Sequence, residues 1–134
     1  MNILITNTQK AEHFSLIFQH LKSFTEHVNI MFEKDKMYMQ AMDPTHVSII
    51  ELSISKDWFD VYQHNDPSTI NISLNSNLLY RILATRDKKQ KTNIVYGGDK
   101  DVDKLFINFT GEFKETEFDK HFEMPLIEMT NELL

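Results

Sequence analysis

Three aspartates at alternate positions, Asp99, Asp101 and Asp103, stand where a calcium loop places its first, third and fifth ligands. Such a loop also needs Gly next and Glu at its twelfth position, where this sequence has Lys104 and Thr110. The run therefore reads as a solvated hairpin turn. His13, His20 and His27 recur every seven residues. Seven residues of helix rise about 10 Å, too far for two imidazoles to share one ion, whose ligand pairs sit closer in sequence. These histidines read as boundary residues beside a core. No G-x-S-x-G elbow, phosphate-cradling glycine loop or paired carboxylate geometry is legible, and the chain contains no Cys. Disulfides, thiolate zinc sites and Cys nucleophiles are thereby excluded. We expect no enzyme activity, no metal and no cofactor.

The remaining chemistry is recognition. "RDKKQK", Arg86 to Lys91, is the densest basic run. It reads either as a solvated loop or as a rim of phosphate contacts, with Arg86, Lys88 and Lys89 joining Lys22 and Arg81. A second signal lies in "AMDPTHVSIIEL", residues 41 to 52. Side chains alternate across a strand. In "KMYMQAM" the parity set Met37, Met39 and Ala41 is apolar, which leaves Met42 on the opposite face with Tyr38 and Gln40. In "HVSIIELSI" the set Ile50, Leu52 and Ile54 faces the core and leaves Val47 and Ile49 outward. An outward apolar cluster rimmed by polar groups reads as a docking site, or else as a face under a second covering layer.

Elements must hold these groups in place. "NILI" begins as a strand, and Asn7 or Thr8 can cap a following helix whose core face is Phe14, Ile17, Phe18, Leu21 and Phe24. Its outer face holds Glu12, Ser15, Leu16, Gln19, Lys22 and Ser23. Three strands follow, "HVNIMFE", "KMYMQAM" and "HVSIIELSI", then a short one in "WFDVY". The order then repeats. "TINISL" is a strand, and Asn75 caps a helix with Leu78, Leu79, Ile82 and Leu83 inward and Asn77, Tyr80, Arg81 and Ala84 outward. "TNIVY", "LFINF" and "TEFDKHFEM" complete three more strands. The expected fold class is α+β: a duplicated strand-helix-three-strand unit with two helices side by side on one face of antiparallel sheet. Residues 1–124 form the domain and 125–134 the start of a connector.

Length and charge set the outer bounds. A chain of 134 residues is about one domain, and the 41% hydrophobic content suits a packed core. A formal net charge of −6 argues against wholesale nucleic-acid coating, so any DNA contact must use a local strip of cations. No apolar run reaches the roughly 20 residues needed to span a bilayer, so no membrane partner is expected.

"MQAMDPTHVSIIELSI" together with "ISLNSNLLYRIL" resembles the N-terminal domain of the proliferating cell nuclear antigen family, the ring-shaped DNA sliding clamps. The resemblance runs the length of the chain. It implies a clamp fold, two such domains per subunit, a homotrimeric ring, and helices lining a hole that holds duplex DNA without sequence preference. It implies a processivity factor that tethers DNA polymerase, the clamp loader and other proteins carrying clamp-binding peptides, in the nucleus or at a viral replication site. By the same resemblance Met42, His46, Val47 and Ile49 line the peptide pocket, with Leu126 and Leu134 as further walls. Lys22 and Arg81 match positions that face DNA. Phe118, Lys120 and Phe122 match the edge that pairs with a neighbouring subunit, where Lys120 on the apolar parity also reads as a guard against random edge pairing. The alternative is a clamp-like peptide-binding domain that does not encircle DNA. The pattern departs at Ser15, Leu16 and Ala84, where the family commonly carries basic residues, so the inner strip is thin in charge.

Overall fold

A computed structural model describes residues 1–43, 45, 48–98, 102–111 and 118–127. Strand β1 (Asn2–Ile5) leads into helix α1 (Thr8–Phe24), then β2 (His27–Phe32), β3 (Lys36–Met42) and β4 (Ile49–Ser55). A 3-10 turn (Lys56–Trp58) and the short β5 (Val61–Gln63) join this unit to the next. The second unit is β6 (Ile70–Asn75), α2 (Ser76–Leu83), β7 (Lys91–Val95), β8 (Lys104–Thr110) and β9 (Lys120–Pro125). The duplicated order is therefore present. "WFDVY" is only partly a strand: Ser55 caps the 3-10 turn by accepting from the Asp57 N–H, and extended pairing starts at Val61.

The two units start their helices alike. The Asn7 side chain accepts from the Lys10 N–H at 3.0 Å, and the Asn75 side chain accepts from the Leu78 N–H at 2.9 Å. Each contact satisfies one of the donors a helix start leaves without an internal partner. The Asp60 carboxylate adds to the first, accepting from the Thr6 N–H at 2.6 Å and the Asn7 N–H at 3.4 Å. The Thr6 bond, above all, holds this carboxyl below its ordinary pKa.

The strands divide into two antiparallel sheets rather than one continuous one: β5-β1-β7-β8-β9 and β4-β3-β2-β6. The division follows from an exchange. β1 of the first unit pairs with β7 of the second, while β6 of the second pairs with β2 of the first. Each unit thus lends its opening strand to the other's sheet, and neither could close its sheet alone. The inward faces of both sheets and both helices meet in one core that includes Ile5, Phe14, Phe18, Phe32, Leu74, Leu79, Ile107, Phe109 and Met124. Each such side chain, fully removed from water, stabilises the fold by about 1.5–3 kcal/mol before entropy is counted. The alternation expected for β3 is observed, with Met37, Met39 and Ala41 buried and Tyr38, Gln40 and Met42 half-buried.

Polar stitches hold the sheets in register. The Tyr62 hydroxyl on β5 lies 2.5 Å from the Glu33 carbonyl oxygen and 2.8 Å from that of Lys36, reaching from one sheet to the β2–β3 turn of the other. Burial, and then the charges of Asp35 and Glu33, push this phenol up to about 12. Beyond β9 the Leu126 N–H donates to the Asp103 carbonyl at 2.9 Å and the Ile127 N–H to the Ser73 carbonyl at 2.8 Å, bridging β8 and β6.

Candidate nucleic-acid face and docking edges

α1 and α2 pack against each other, so their outward flanks make one surface. Ala11, Phe14, Phe18 and Leu21 point into the core from α1, and Leu79, Ile82 and Leu83 from α2. The shared outer surface carries Glu12, Leu16, Gln19, His20, Lys22, Ser23, Asn77 and Arg81, all exposed. Lys22 stands at the seam, its Nζ 4.6 Å from the Tyr80 ring centroid. Leu16 is 42% exposed on this face and adds no charge to it. Lys10 turns away, donating from Nζ to the Trp58 carbonyl at 2.8 Å with its charge over the Trp58 ring.

Arg86 departs from expectation. Its side chain is only 5% exposed and pairs with Glu12 at 3.3 Å. Its Nη1 donates to the carbonyls of Asp87, Lys88 and Gln90, at 3.0, 3.2 and 3.0 Å. Desolvation lowers its pKa. A guanidinium committed to three carbonyls and a carboxylate organises a loop and is not offered to phosphate. Lys88 and Lys89 lie on that loop and remain exposed. The loop is fixed further by Gln90, whose Nε2 donates to the Phe118 carbonyl at 2.6 Å and whose Oε1 accepts from the Asp87 N–H at 3.0 Å.

On the docking side, Met42 and Ile49 are direct cross-strand partners of β3 and β4. Met42 is half-buried and Ile49 is 48% exposed, so the structure places these two predicted residues together on the outer face. His46, Val47 and Leu134 lie outside the described residues. Ile50 was expected in the core and is instead 37% exposed. Its parity is inward, but β4 is an edge strand and the core cover fades from Ile54 toward this end. Leu126 packs against the core, and the next residue joins β6, the sheet edge opposite β4 and two strands from Met42 on β3. Three strand spacings, roughly 14 Å, separate those edges. The same outer face carries the cross-strand row Glu51, Gln40, Asn29 and Ser73. The Asn29 Oδ1 in this row is buried with no hydrogen-bond partner among the described residues.

β4 and β9 are the long sheet edges that pair on one side only among the described residues. They are the last strands of the two units, and each flanks a groove against its own helix. β9 and α2 enclose about 560 Å³ lined by Leu78, Tyr80, Ile82, Phe122 and Met124 among others. β4 and α1 enclose about 300 Å³ lined by His13, Ile17, Leu52, Ile54 and Trp58 among others. The sequence reading missed the β4 groove; the duplication was its signal, since an edge at the end of one unit implies one at the end of the other. Phe122 faces its groove with its ring edge-on to Phe109, centroids 6.0 Å apart. Phe118 precedes the strand and is 81% exposed. Lys120 departs from the guard role: its Nζ binds the Thr85 carbonyl and pairs with Asp87 at 3.4 Å, which ties β9 to the loop after α2. Among the histidines, His13 tilts against Trp58 at 6.4 Å, and His27 has left the helix for β2. Asp99 and Asp101 lie outside the described residues.

The sequence matches the family described as proliferating cell nuclear antigen, N-terminal domain, over residues 3–133. The chain belongs to this family. It is 28% identical over 119 residues to DNA polymerase sliding clamp 1 of Thermococcus kodakarensis, covering 89% of this chain and 44% of that protein. It is 27% identical over 117 residues to proliferating cell nuclear antigen 2 of Plasmodium falciparum, covering 87% and 43%. The chain thus spans just under half the length of these relatives. Among solved structures, the proliferating cell nuclear antigen of Thermococcus kodakaraensis superposes with a TM-score of 0.79 at 19% identity, covering 95% of this chain and 46% of that one. The PCNA2-PCNA3 complex of Sulfolobus tokodaii gives 0.80 at 19% identity, covering 97% and 48%. The clamp fold read from the sequence is the fold these neighbours share. As a PCNA N-terminal domain, the chain has its two helices on one surface and, among the described residues, long edges paired on one side only at the ends of its two units.

Proposed function

We propose that this domain is part of a non-enzymatic processivity factor, a sliding clamp that encloses duplex DNA and tethers replication and repair enzymes. The observation that carries this reading is the pairing of α1 and α2 into one outward surface in a chain of the PCNA N-terminal family. In this reading that surface faces DNA. Lys22, Arg81, Lys88 and Lys89 supply sparse, single-point phosphate contacts, and Arg86 serves by shaping the loop that carries the last two. Sliding requires such contacts to be weak and blind to sequence, and isolated cations without bidentate base readers meet that requirement. The chain's net charge of −6 disfavours DNA contact away from such a local strip.

The outward pair Met42 and Ile49, with His46, Val47 and Leu134, is the proposed seat for clamp-binding peptides of DNA polymerase, the clamp loader and other partners. Strand β9, with Phe118, Phe122 and the groove beside α2, is the proposed edge for a neighbouring subunit of a homotrimer. β4 is the matching edge for an adjoining domain. Head-to-tail edges of this kind generate closed rings when the rotation per step closes. Light scattering of the complete protein tests this directly: a trimer is expected, and a strict monomer at high concentration would count against enclosure.

A second reading is favoured by one specific set of observations. Leu16 lies exposed on the helical surface and Arg86 is committed internally, so few cations remain there. A clamp-like peptide-binding domain that never encloses DNA would tolerate both. Duplex binding by the complete protein separates the two: salt-sensitive binding supports the clamp, and its absence together with intact peptide binding supports the alternative.

A further inference from the structure

We infer that Tyr80 is a positioning residue for DNA contact, holding the Lys22 ammonium at the seam of α1 and α2 where a phosphate can meet it. This rests on the reading of the helical surface given above. Lys22 lies in the last turn of α1, and its Nζ is 4.6 Å from the centroid of the half-buried Tyr80 ring, within the range of a cation–π contact. The ring is itself fixed, because Tyr80 packs against the core beside Leu79 and lines the α2–β9 groove. A free lysine side chain samples many rotamers and loses them on contacting phosphate. Over a fixed ring, part of that loss is met before DNA arrives, and the charge is kept. Glu12, the acid on the outer face of α1, stands ten residues from Lys22, roughly 15 Å of helix rise, and is paired with Arg86 at 3.3 Å. Arg81, the next residue along α2, is exposed and adds a second charge beside this seam.

The geometry separates two quantities in a binding experiment. The slope of log affinity against log salt counts phosphates contacted, at about 0.9 per contact, while pre-ordering changes affinity at fixed slope. Binding of the chain to a labelled duplex should be followed by fluorescence anisotropy across a salt series. Tyr80→Leu should weaken binding by roughly two- to fivefold, the size of an exposed cation–π contact, with the slope unchanged. Lys22→Gln should reduce the slope by about 0.9. Tyr80→Phe, which keeps a ring, should retain affinity, and Tyr80→Leu should cost nothing further in the Lys22→Gln background. An equal loss from Tyr80→Leu with and without Lys22 would assign Tyr80 to packing alone and overturn the inference. So would salt-sensitive binding that Tyr80→Leu leaves untouched, with the DNA reading still standing. Wild-type protein without salt-sensitive duplex binding would overturn both.

Discussion

Arg86 and Glu12 form an ion pair of 3.3 Å that fastens the loop after α2 to the outer flank of α1. The pair is asymmetric. Arg86 is almost wholly covered and also serves three carbonyls, whereas Glu12 is largely in water. Removing Arg86 strands the part-buried carbonyls of Asp87 and Gln90, while removing Glu12 mostly gives up a screened attraction. We predict that Arg86→Ala destabilises the domain by about 1–3 kcal/mol and Glu12→Gln by less than about 1 kcal/mol. Arg86→Lys should not restore stability, because an ammonium cannot present one nitrogen to those carbonyls and a second to Glu12. Urea unfolding of the three variants checks the order.

Acid and alkali should act through different groups. Asp60 has a folded pKa held below its ordinary value by the Thr6 and Asn7 N–H groups. Its contribution is present above the unfolded pKa of about 3.9 and fades as pH falls through the folded value. Asp60→Asn should therefore lower Tm at pH 7 and converge with wild type in strong acid. Tyr62 is the opposite case. Its pKa, pushed up to about 12, makes its contribution complete below the unfolded value near 10 and lost as pH rises between the two. Tyr62→Phe should cost about 1 kcal/mol at neutral pH and flatten the alkaline decline in Tm.

Ile49 and Met42 face each other across β3 and β4 on the outer side, so truncating Ile49 removes exposed rather than core surface. Ile49→Ala and Val47→Glu should each weaken an aromatic-containing clamp-binding peptide. Ile49→Ala should shift the melting temperature little. Calorimetric titration showing unchanged peptide affinity in both variants would remove the docking assignment.

Lys22 and Arg81 are the exposed cations of the helical surface itself. Lys22→Glu combined with Arg81→Glu should abolish duplex binding by the chain, with a melting curve close to wild type. Lys88→Gln with Lys89→Gln should weaken binding and lower the salt slope by up to about 1.8. Tight, sequence-specific binding by wild type would contradict sliding.

The parts of this fold legible in the sequence are those fixed by local periodicity. Phe14, Phe18 and Leu21 on α1, the Asn7 and Asn75 caps, and the alternation Met37, Met39 and Ala41 were readable because neighbours along the chain decide them. The unreadable parts depend on partners far away. That β1 joins β7 while β6 joins β2 is a pairing between units, and no period within either strand encodes it. Ile50 kept its parity but lost its cover, because edge position is a property of the sheet. Arg86 and Lys120 looked like surface charges in a basic run and at a strand end. Only the tertiary approach of Glu12, Asp87 and the Thr85 carbonyl commits them inward. In the docking face, Met42 and Ile49 were found by parity, whereas Leu126 was placed by resemblance and is drawn to the other edge by the Asp103 and Ser73 carbonyls.

The central claim is enclosure of DNA, and retention on circular duplex tests it most directly. The complete protein, loaded onto a nicked circular duplex and washed at high salt, should remain bound and then be released when the circle is cut to leave free ends. Equal dissociation from the circle and from the linear duplex would contradict enclosure.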